Sequence, residues 1–371
     1  MNLVMKKCLF SIVLLALAIL QVQPAQAARG IPGSPEFGFG VSLYPDGPML
    51  DEALNLLSDL HPDWLYVPVS WAAVQPSADV EPDLAFLDRI MSVAAGQQTA
   101  VAISLSQVPG WALTGEGPDP ELAARFAALL AQRYPQVLQA LELFPRANTL
   151  TGWGSAPSPK AYLALYQVVQ NRLNANGSTL LLAAAGLQPV ADGEDPSTAM
   201  DDLDFLQGLY DAGGANILRV ISLQCADASA DLLASPYRDS RMIFRRYETV
   251  RERMLDNQHT AGLIWVTGLG LPSGAYGEMV TLQGDLLEQQ SWLQQAYYQT
   301  NAQLYIGTAV LQSLNPAPEN APFQTASLLQ SDGSRHPFYD MLREMTTLRQ
   351  VGAGSFRPGS SKKGNLLKNR P

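Results

Sequence analysis

This 371-residue chain has 34 acidic residues, and two places stand out as candidates for moving a proton at a site. Glu142 stands within the apolar run 141–144, which predicts a buried strand, and a group of acids follows the fifth predicted strand. Carboxylates are common general acids and bases, so two acids facing one another could do chemistry. A solvated acidic loop is the alternative for the second group. Its members are Asp192, Glu194, Asp195, Asp201 and Asp202.

Cys225 and the three histidines offer little further chemistry. Cys225 follows the sixth predicted strand and has no histidine near it in sequence, so a thiol nucleophile and a buried cysteine are both open interpretations. His61, His259 and His336 lie far apart and lack metal-ligand spacing. No glycine-rich phosphate turn follows the first predicted strand. The sequence therefore predicts no metal site and no cofactor.

The elements that must position these groups alternate along the chain. Short apolar strands are separated by segments with helical periodicity. We predict strands at 37–43, 64–69, 99–105, 138–144, 180–185, 217–223, 262–267 and 304–312. This alternation predicts an α/β fold, a single (β/α)8 TIM barrel, with any site at the carboxyl ends of the strands. A doubly wound open sheet is the rival.

The two chain ends differ from the middle. Residues 1–27 combine Lys6 and Lys7, an apolar core and a small-residue end, which is typical of a cleaved secretory signal peptide. Residues 28–350 form the predicted barrel. Residues 351–371 are basic, contain no acid and are predicted to be a disordered tail, either without function or attached to an anionic envelope. We expect a secreted or cell-surface protein.

Charge and hydropathy narrow the range of partners. The formal net charge is −10, and it becomes more negative once the two lysines leave with the signal. Nucleic acid is therefore not an expected partner. After the signal, no stretch reaches the roughly 20 apolar residues of a spanning helix, so no transmembrane span is predicted in the mature protein.

Several short motifs, in order along the chain, resemble those of clan A glycoside hydrolases of the cellulase type, families 39 and 5 in particular. The run 141–148, Leu-Glu-Leu-Phe-Pro-Arg-Ala-Asn, resembles the fourth-strand run Tyr-Glu-Ile-Trp-Asn-Glu-Pro-Asn. Residues 69–76 resemble the second-strand motif with Gln75 in place of its Glu, and residues 108–112 resemble a third-strand Pro-x-Trp-Ala segment. The resemblance spans about 37–348 and implies the TIM barrel.

The resemblance also implies where two catalytic carboxylates should stand. The acid/base position falls on Arg146, and the nucleophile position at the end of strand seven falls on Gly268. A retaining glycosidase needs both groups. An arginine there would also oppose the positive charge of an oxocarbenium-like transition state. We therefore expect a pseudo-glycosidase that lacks the family's hydrolysis.

We expect a barrel that has lost its hydrolytic groups to keep its groove. Such a protein would bind carbohydrate or an envelope glycan, or act as an envelope scaffold. Flat rings near the strand ends suit sugar faces, although core packing is the alternative for each ring. Two rival functions stay open: an active hydrolase whose relocated carboxylates include an inverting pair, and a protein-interaction module with an unknown partner. The predicted substrate-binding residues are Trp71, Trp111, Phe144, Arg146, Asn148, Trp153 and Gln224.

Two orientations are predicted from the alternation of side chains along a strand. Glu142 is expected to be a buried partner for a basic group, since a buried charge needs one. Trp265 differs in parity from Gly268, so Trp265 is expected to face the outer helices.

Overall fold

The computed structural model describes residues 29–190, 195, 197–224, 244–270, 286–318 and 327–355. Side chains of residues 270, 286–290 and 347–355 lie outside this description. The predicted signal at 1–27 and most of the predicted tail also lie outside it. No helix in the described part of the chain is long and apolar enough to cross a membrane.

Eight parallel strands close into one barrel, as the alternating pattern predicts. The last strand of the barrel pairs with the first, with Gly38 opposite Thr308. Both faces of each strand are covered, which explains the near-continuous apolar runs. The barrel strands are β1 (Gly38–Ser42), β2 (Trp64–Ser70), β3 (Ala100–Ser106), β6 (Leu138–Leu143), β7 (Leu181–Leu187), β8 (Val220–Leu223), β9 (Leu263–Gly270) and β10 (Ile306–Gln312).

Between β3 and β6 a small antiparallel pair, β4 (Leu113–Thr114) and β5 (Gly117–Pro118), forms a hairpin. It follows a short 3₁₀ turn at Gly110–Ala112. A second 3₁₀ turn, Gly214–Asn216, precedes β8. The hairpin matters for the site because it covers part of the barrel mouth.

The helices surround the barrel. They are α1 (Leu50–Leu60), α2 (Trp71–Val74), α3 (Ala85–Gly96), α4 (Pro120–Arg133), α5 (Leu150–Trp153), α6 (Pro159–Ala175), α7 (Asp202–Asp211), α8 (Arg246–Asp256), α9 (Leu286–Asn301) and α10 (Phe338–Ser355). Ser158 caps α6 by accepting from the Ala161 N–H at 3.3 Å, with proline next in the chain. Helix α10 runs past residue 350, into the segment predicted to be a tail.

The prediction that Trp265 faces the helices is wrong. Its ring belongs to the apolar cluster inside the barrel, 4.9 Å from the Trp64 ring centroid. The pairing of β9 with β10 shifts register between Val266 and Leu269. Such an irregularity reverses the alternation of side chains, so parity counted back from Gly268 gives the wrong face.

The chain segment before β1 crosses the amino-terminal end of the barrel. The Trp64 indole N–H donates to the Arg29 carbonyl at 2.8 Å, and the Trp265 indole N–H donates to the Gly30 carbonyl at 2.8 Å. Gly30 has a φ of +71° and lies against the backbone of Gly307, where a side chain on either residue would clash. The segment therefore closes this end of the barrel.

Candidate functional site at the barrel mouth

Strand β6 ends at Leu143, and the chain then turns sharply instead of continuing as a strand. Phe144 and Arg146 have φ values of +53° and +61°, which non-glycine residues seldom adopt. The turn is held by Arg146 N–H to the Gly186 carbonyl at 2.9 Å and by Ala147 N–H to the Ala185 carbonyl at 3.1 Å. This turn places Arg146 at the mouth, directly after the strand.

Arg146 is partly buried at this position. Burial lowers the pKa of its guanidinium below the ordinary value, yet an arginine side chain stays protonated in proteins. The Arg146 guanidinium therefore cannot donate a proton to a leaving group, as a carboxylic acid with a raised pKa does. Arg146 therefore offers positive charge and hydrogen-bond donors at the acid/base position of the resemblance.

Gly268 lies buried near the end of β9. It falls between Val266 and Leu269, where the pairing of β9 with β10 shifts register. Bulges of this kind are common beside functional sites because they redirect neighbouring side chains. With no side chain of its own, Gly268 leaves the nucleophile position of the resemblance without a carboxylate. Both β6 and β9 belong to the same barrel, as the resemblance requires.

Glu142 lies inside the barrel, 1% exposed, below the turn that carries Arg146. One carboxylate oxygen accepts hydrogen bonds from the Tyr66 and Ser104 hydroxyls, and the other accepts from the Ser222 hydroxyl. The Ser222 hydroxyl is in turn 3.0 Å from that of Thr267. Five barrel strands therefore contribute to one buried polar cluster, and we call these five residues the interior hydroxyl layer.

The expectation that Glu142 pairs with a basic group is wrong. Hydroxyl groups satisfy its oxygens, so the position needs no cation. Burial raises the pKa of the Glu142 carboxyl, and the hydrogen bonds from Ser104, Ser222 and Tyr66 oppose that rise. Its partners and burial give this acid a role in holding the interior of the barrel together.

Three of the four predicted stacking rings are covered by protein. Trp71 lies 5.0 Å from Phe126 in a stacked geometry, and Phe144 lies 6.1 Å from Trp153 edge to face. The Trp153 N–H donates to the Glu116 carbonyl at 2.8 Å. The three predicted rings are 1% exposed or less. In this structure they pack the protein and present no open face, contrary to the predicted groove lining.

The β4–β5 hairpin explains the burial of Trp153. Gly117, in β5, lies directly on the indole ring, with a φ of +123° that suits glycine. No side chain at that position would fit between the strand and the ring. The hairpin therefore closes over a tryptophan that sequence alone places at an open rim.

Trp111 is the predicted ring that remains partly exposed. It belongs to the 3₁₀ turn after β3 and packs edge to face on Trp71 at 5.6 Å. Its N–H donates to the Gln75 carbonyl at 3.1 Å, while the Gln75 side chain accepts from the Trp71 N–H at 3.1 Å. Gln75 stands where the second-strand motif of the similar glycoside hydrolases has a glutamate. Here it links the rings of Trp71 and Trp111 by hydrogen bonds.

The predicted donor Asn148 is fully used within the protein. Its amide nitrogen donates to the Gln188 carbonyl at 2.7 Å and the Met200 carbonyl at 2.9 Å, and its oxygen accepts from the Gln188 N–H at 3.0 Å. Asn148 is completely buried. It therefore ties the loop after β6 to the loop after β7, and its predicted role as a ligand donor finds no spare hydrogen-bonding atom in this structure.

Gln224 follows β8 and is partly exposed, with its backbone N–H bonded to the Leu187 carbonyl at 2.8 Å. Together with Arg146 and Trp111, it gives three predicted contact residues that reach the surface. Each of the three follows the carboxyl end of a different barrel strand.

The acids proposed for an inverting pair divide into two groups. Asp192 and Glu194 lie outside the described residues, as does Cys225. Asp201 caps α7 by accepting from Leu203 N–H at 2.9 Å, and Asp202 is buried with its carboxylate 2.5 Å from the Arg246 guanidinium. Asp195 accepts from the Ser197 N–H at 2.9 Å. Asp195, Asp201 and Asp202 therefore all have structural partners. No group of three metal-ligating side chains lies together within the described residues.

Sequence reasoning missed the interior hydroxyl layer, although a signal for it exists. Ser104, Glu142 and Ser222 are isolated polar residues inside apolar strands, and each stands at an inward-facing position. Single polar residues at matching depth on neighbouring strands indicate that they satisfy one another. Applying that rule would have favoured hydroxyl partners for Glu142.

The fold is similar to those of solved glycoside hydrolases. A family 39 glycoside hydrolase from the gut symbiont Bacteroides cellulosilyticus matches with a TM-score of 0.60 and 16% identity, over 86% of this chain and 64% of that one. A GH1 beta-glucosidase from Exiguobacterium antarcticum matches with a TM-score of 0.58 and 12% identity, over 85% and 98%.

A third match is a GH128 endo-beta-1,3-glucanase from Sorangium cellulosum, with a TM-score of 0.52 and 17% identity, over 82% and 97% of the two chains. No protein-family model matches the sequence. No curated protein matches it either. At these identities the likeness establishes the fold, a glycoside-hydrolase-like TIM barrel, and leaves the activity to be argued from the site.

Proposed function

We propose that this protein is a non-hydrolytic carbohydrate-binding barrel, which holds a glycan at the carboxyl-terminal mouth. The observation that carries the proposal is the turn after β6, which places a partly buried arginine where the resemblance expects a general acid. Binding sites of TIM barrels lie at this end of the strands. An arginine offers several fixed N–H donors, which suit the oxygens of a sugar.

Hydrolysis by the mechanism of clan A glycoside hydrolases, which the sequence resembles, is disfavoured on chemical grounds. Retaining enzymes hold two carboxylates about 5 Å apart, one as acid/base and one as nucleophile. Here the matching positions are Arg146 and Gly268. Loss of acid/base assistance alone typically lowers rates by about 10²–10⁴-fold.

This chemistry predicts that Arg146→Glu alone will not create glycosidase activity, because position 268 would still lack a nucleophile. The measurement is release of nitrophenol from aryl glycosides, compared between the variant and the unaltered protein. Substantial turnover by the unaltered protein would favour the rival hydrolase with relocated carboxylates.

The proposed contacts are Trp111 as the stacking ring and Arg146 and Gln224 as polar groups. These three remain after the buried predicted residues are set aside. A single ring and two polar side chains suit one or two sugar units, with weak affinity. The basis for a glycan is the fold and these side-chain types together.

A glycan array followed by calorimetry tests the proposal on the purified protein. Trp111→Ala should weaken binding of the best glycan roughly tenfold to hundredfold, since a stacking ring contributes about 1–3 kcal/mol. Tyr298→Ala is the matched control, because that ring is 58% exposed on helix α9. Equal loss in both variants, or no glycan bound at millimolar concentration, would favour the protein-interaction module instead.

We also propose export, on the basis of the signal-like residues 1–27. Amino-terminal sequencing of the protein recovered from the producing cells tests this. A mature chain that begins near residue 28 supports export, whereas a chain that retains residues 1–27 in the cytoplasm contradicts it.

A further inference from the structure

A cleft of about 590 Å³ opens at the opposite end of the barrel from the mouth. Its walls are the final turns of helices α4 and α6, the first residues of β6 and β7, Arg219 just before β8, and the closing segment at Ile31 and Pro32. Ligand pockets commonly have volumes of about 300–1,000 Å³. The cleft therefore has room for a ligand of one or two sugar units.

The lining of the cleft combines apolar and polar side chains and carries one positive charge. Its polar side chains are four carboxamides, the Thr179 hydroxyl and the Ser178 hydroxyl, which accepts from the Leu180 N–H at 3.2 Å. Arg219, just before β8, is its cation. Among the described residues that line the cleft, none is an aspartate or glutamate. The carboxamides belong to Gln132, Gln136, Gln139 and Asn176.

The four carboxamides and the side chains of Thr179 and Arg219 make no hydrogen bond or ion pair within the described part of the chain. Arg219 is exposed at the surface of the cleft. Burial raises the pKa of the Tyr166 hydroxyl on α6, and the charge of Arg219 opposes that rise. The Arg219 guanidinium therefore lies near the α6 wall of the cleft. The cleft thus gathers donors and acceptors that are open to solvent around one guanidinium, and Gln139 is the half-buried carboxamide of the set.

The combination selects a class of ligand. Carboxamides and a hydroxyl both donate and accept, which matches the hydroxyls of a saccharide. A guanidinium forms paired hydrogen bonds with a carboxylate. The carboxyl-terminal ends of α4 and α6 carry partial negative charge, which favours hydroxyl donors and opposes anions. A carboxylate therefore has its favourable position at Arg219, the cation of the cleft.

We propose that the cleft binds a small acidic saccharide, with Arg219 on the carboxylate and the carboxamides and Thr179 on the ring hydroxyls. This site is separate from the mouth, since the two lie at opposite ends of the strands. It therefore does not depend on the function proposed for Arg146 and Trp111.

Calorimetry or ligand-observed NMR on the full-length protein tests the site. The probes are glucuronic and galacturonic acid, their neutral counterparts glucose and galactose, and acetate as a simple anion. One of the uronic acids should bind at millimolar concentration, and its neutral counterpart and acetate should each bind roughly tenfold more weakly. Absence of uronic acid binding, or acetate binding of equal strength, would overturn the proposal.

Three variants locate the binding. Arg219→Ala should weaken uronic acid binding roughly tenfold to hundredfold, the effect of losing a charged hydrogen bond. Arg125→Ala is the matched control, since it is an exposed arginine on α4 that does not line the cleft. Arg146→Ala should leave this binding unchanged, whereas a loss in that variant would place the ligand at the mouth and overturn the assignment. Thermal melting confirms that each variant is folded.

Discussion

Toward the amino-terminal ends of the strands, the barrel interior is filled by the rings of Trp64 and Trp265, and toward the carboxyl-terminal ends by Glu142 and its hydroxyl partners. In the first region the polar atoms include two indole N–H groups, which donate to the backbone of the segment that crosses the barrel. In the second region they are side-chain oxygens that satisfy one another across five strands.

The two regions differ in what makes a substitution destabilising. The tryptophan region depends mainly on volume, because its two N–H groups are small parts of large rings. The interior hydroxyl layer depends on hydrogen bonding, because an unpaired buried oxygen or hydroxyl costs about 1–3 kcal/mol. Four substitutions measure the two contributions, from the largest expected effect to the smallest.

Trp265→Ala should lower the free energy of unfolding by about 3–5 kcal/mol, because it leaves a large cavity against Trp64. Urea denaturation followed by circular dichroism provides the measurement. Leu304→Ala is the control, since that side chain is 92% exposed and should change stability little. A loss below about 1 kcal/mol for Trp265→Ala would show that volume does not dominate this region.

Glu142→Ala should lower the free energy of unfolding by about 2–4 kcal/mol, because it removes the acceptor shared by three buried hydroxyls. The same urea titration applies. Glu121→Ala removes a surface carboxylate that pairs with Arg172 at 2.9 Å, and it should cost less than about 1 kcal/mol. Equal effects of the two variants would contradict a structural role for the interior hydroxyl layer.

Gly186→Ala should destabilise by about 1–3 kcal/mol. Gly186 has a φ of +48°, and a β-carbon there would lie 2.7 Å from Pro145 Cα and 3.0 Å from Glu142 Oε1. The substitution would press on the interior hydroxyl layer from above. Gly96→Ala, at the end of α3 with open space around it, is the control and should not destabilise. A neutral Gly186→Ala would mean that the turn above Glu142 yields easily.

Glu142→Gln should have the smallest effect and one that depends on pH. Burial raises the folded-state pKa of Glu142 above its ordinary value of 4.5. The protonated acid is therefore fully stabilising below pH 4.5, and this contribution is lost as pH rises through the raised pKa. Denaturation series at several pH values should show wild type losing stability relative to the variant as pH increases. A constant difference would mean that Glu142 keeps one protonation state throughout.

Much of the fold follows from the sequence, since apolar strands of 4–8 residues alternate with amphipathic helices. The eight barrel strands coincide closely with the predicted ones, because burial on both faces leaves a strong apolar signal. The position of Arg146 at the mouth follows from one motif read in the context of β6. These features are local in sequence, and local patterns suffice for them.

The missed features depend on contacts between distant segments. Trp153 is buried by the hairpin at 113–118, and Asn148 is saturated by the backbone at Gln188 and Met200. The prediction for Trp265 failed because a register shift lies between Trp265 and Gly268, the residue from which parity was counted. In each case a segment from elsewhere in the chain decides the environment, which a strand pattern does not encode.

The pairing of β1 with β10 has a consequence for how the chain folds. Thr308 donates its hydroxyl to the Gly38 carbonyl across 270 positions of sequence. At about 5–20 residues per second, the ribosome needs on the order of 15 to 50 seconds to make the interval between them. The first strand therefore waits without its final neighbour while the rest is made. High contact order of this kind slows folding, so closure of the ring by β10 is expected to be a late event.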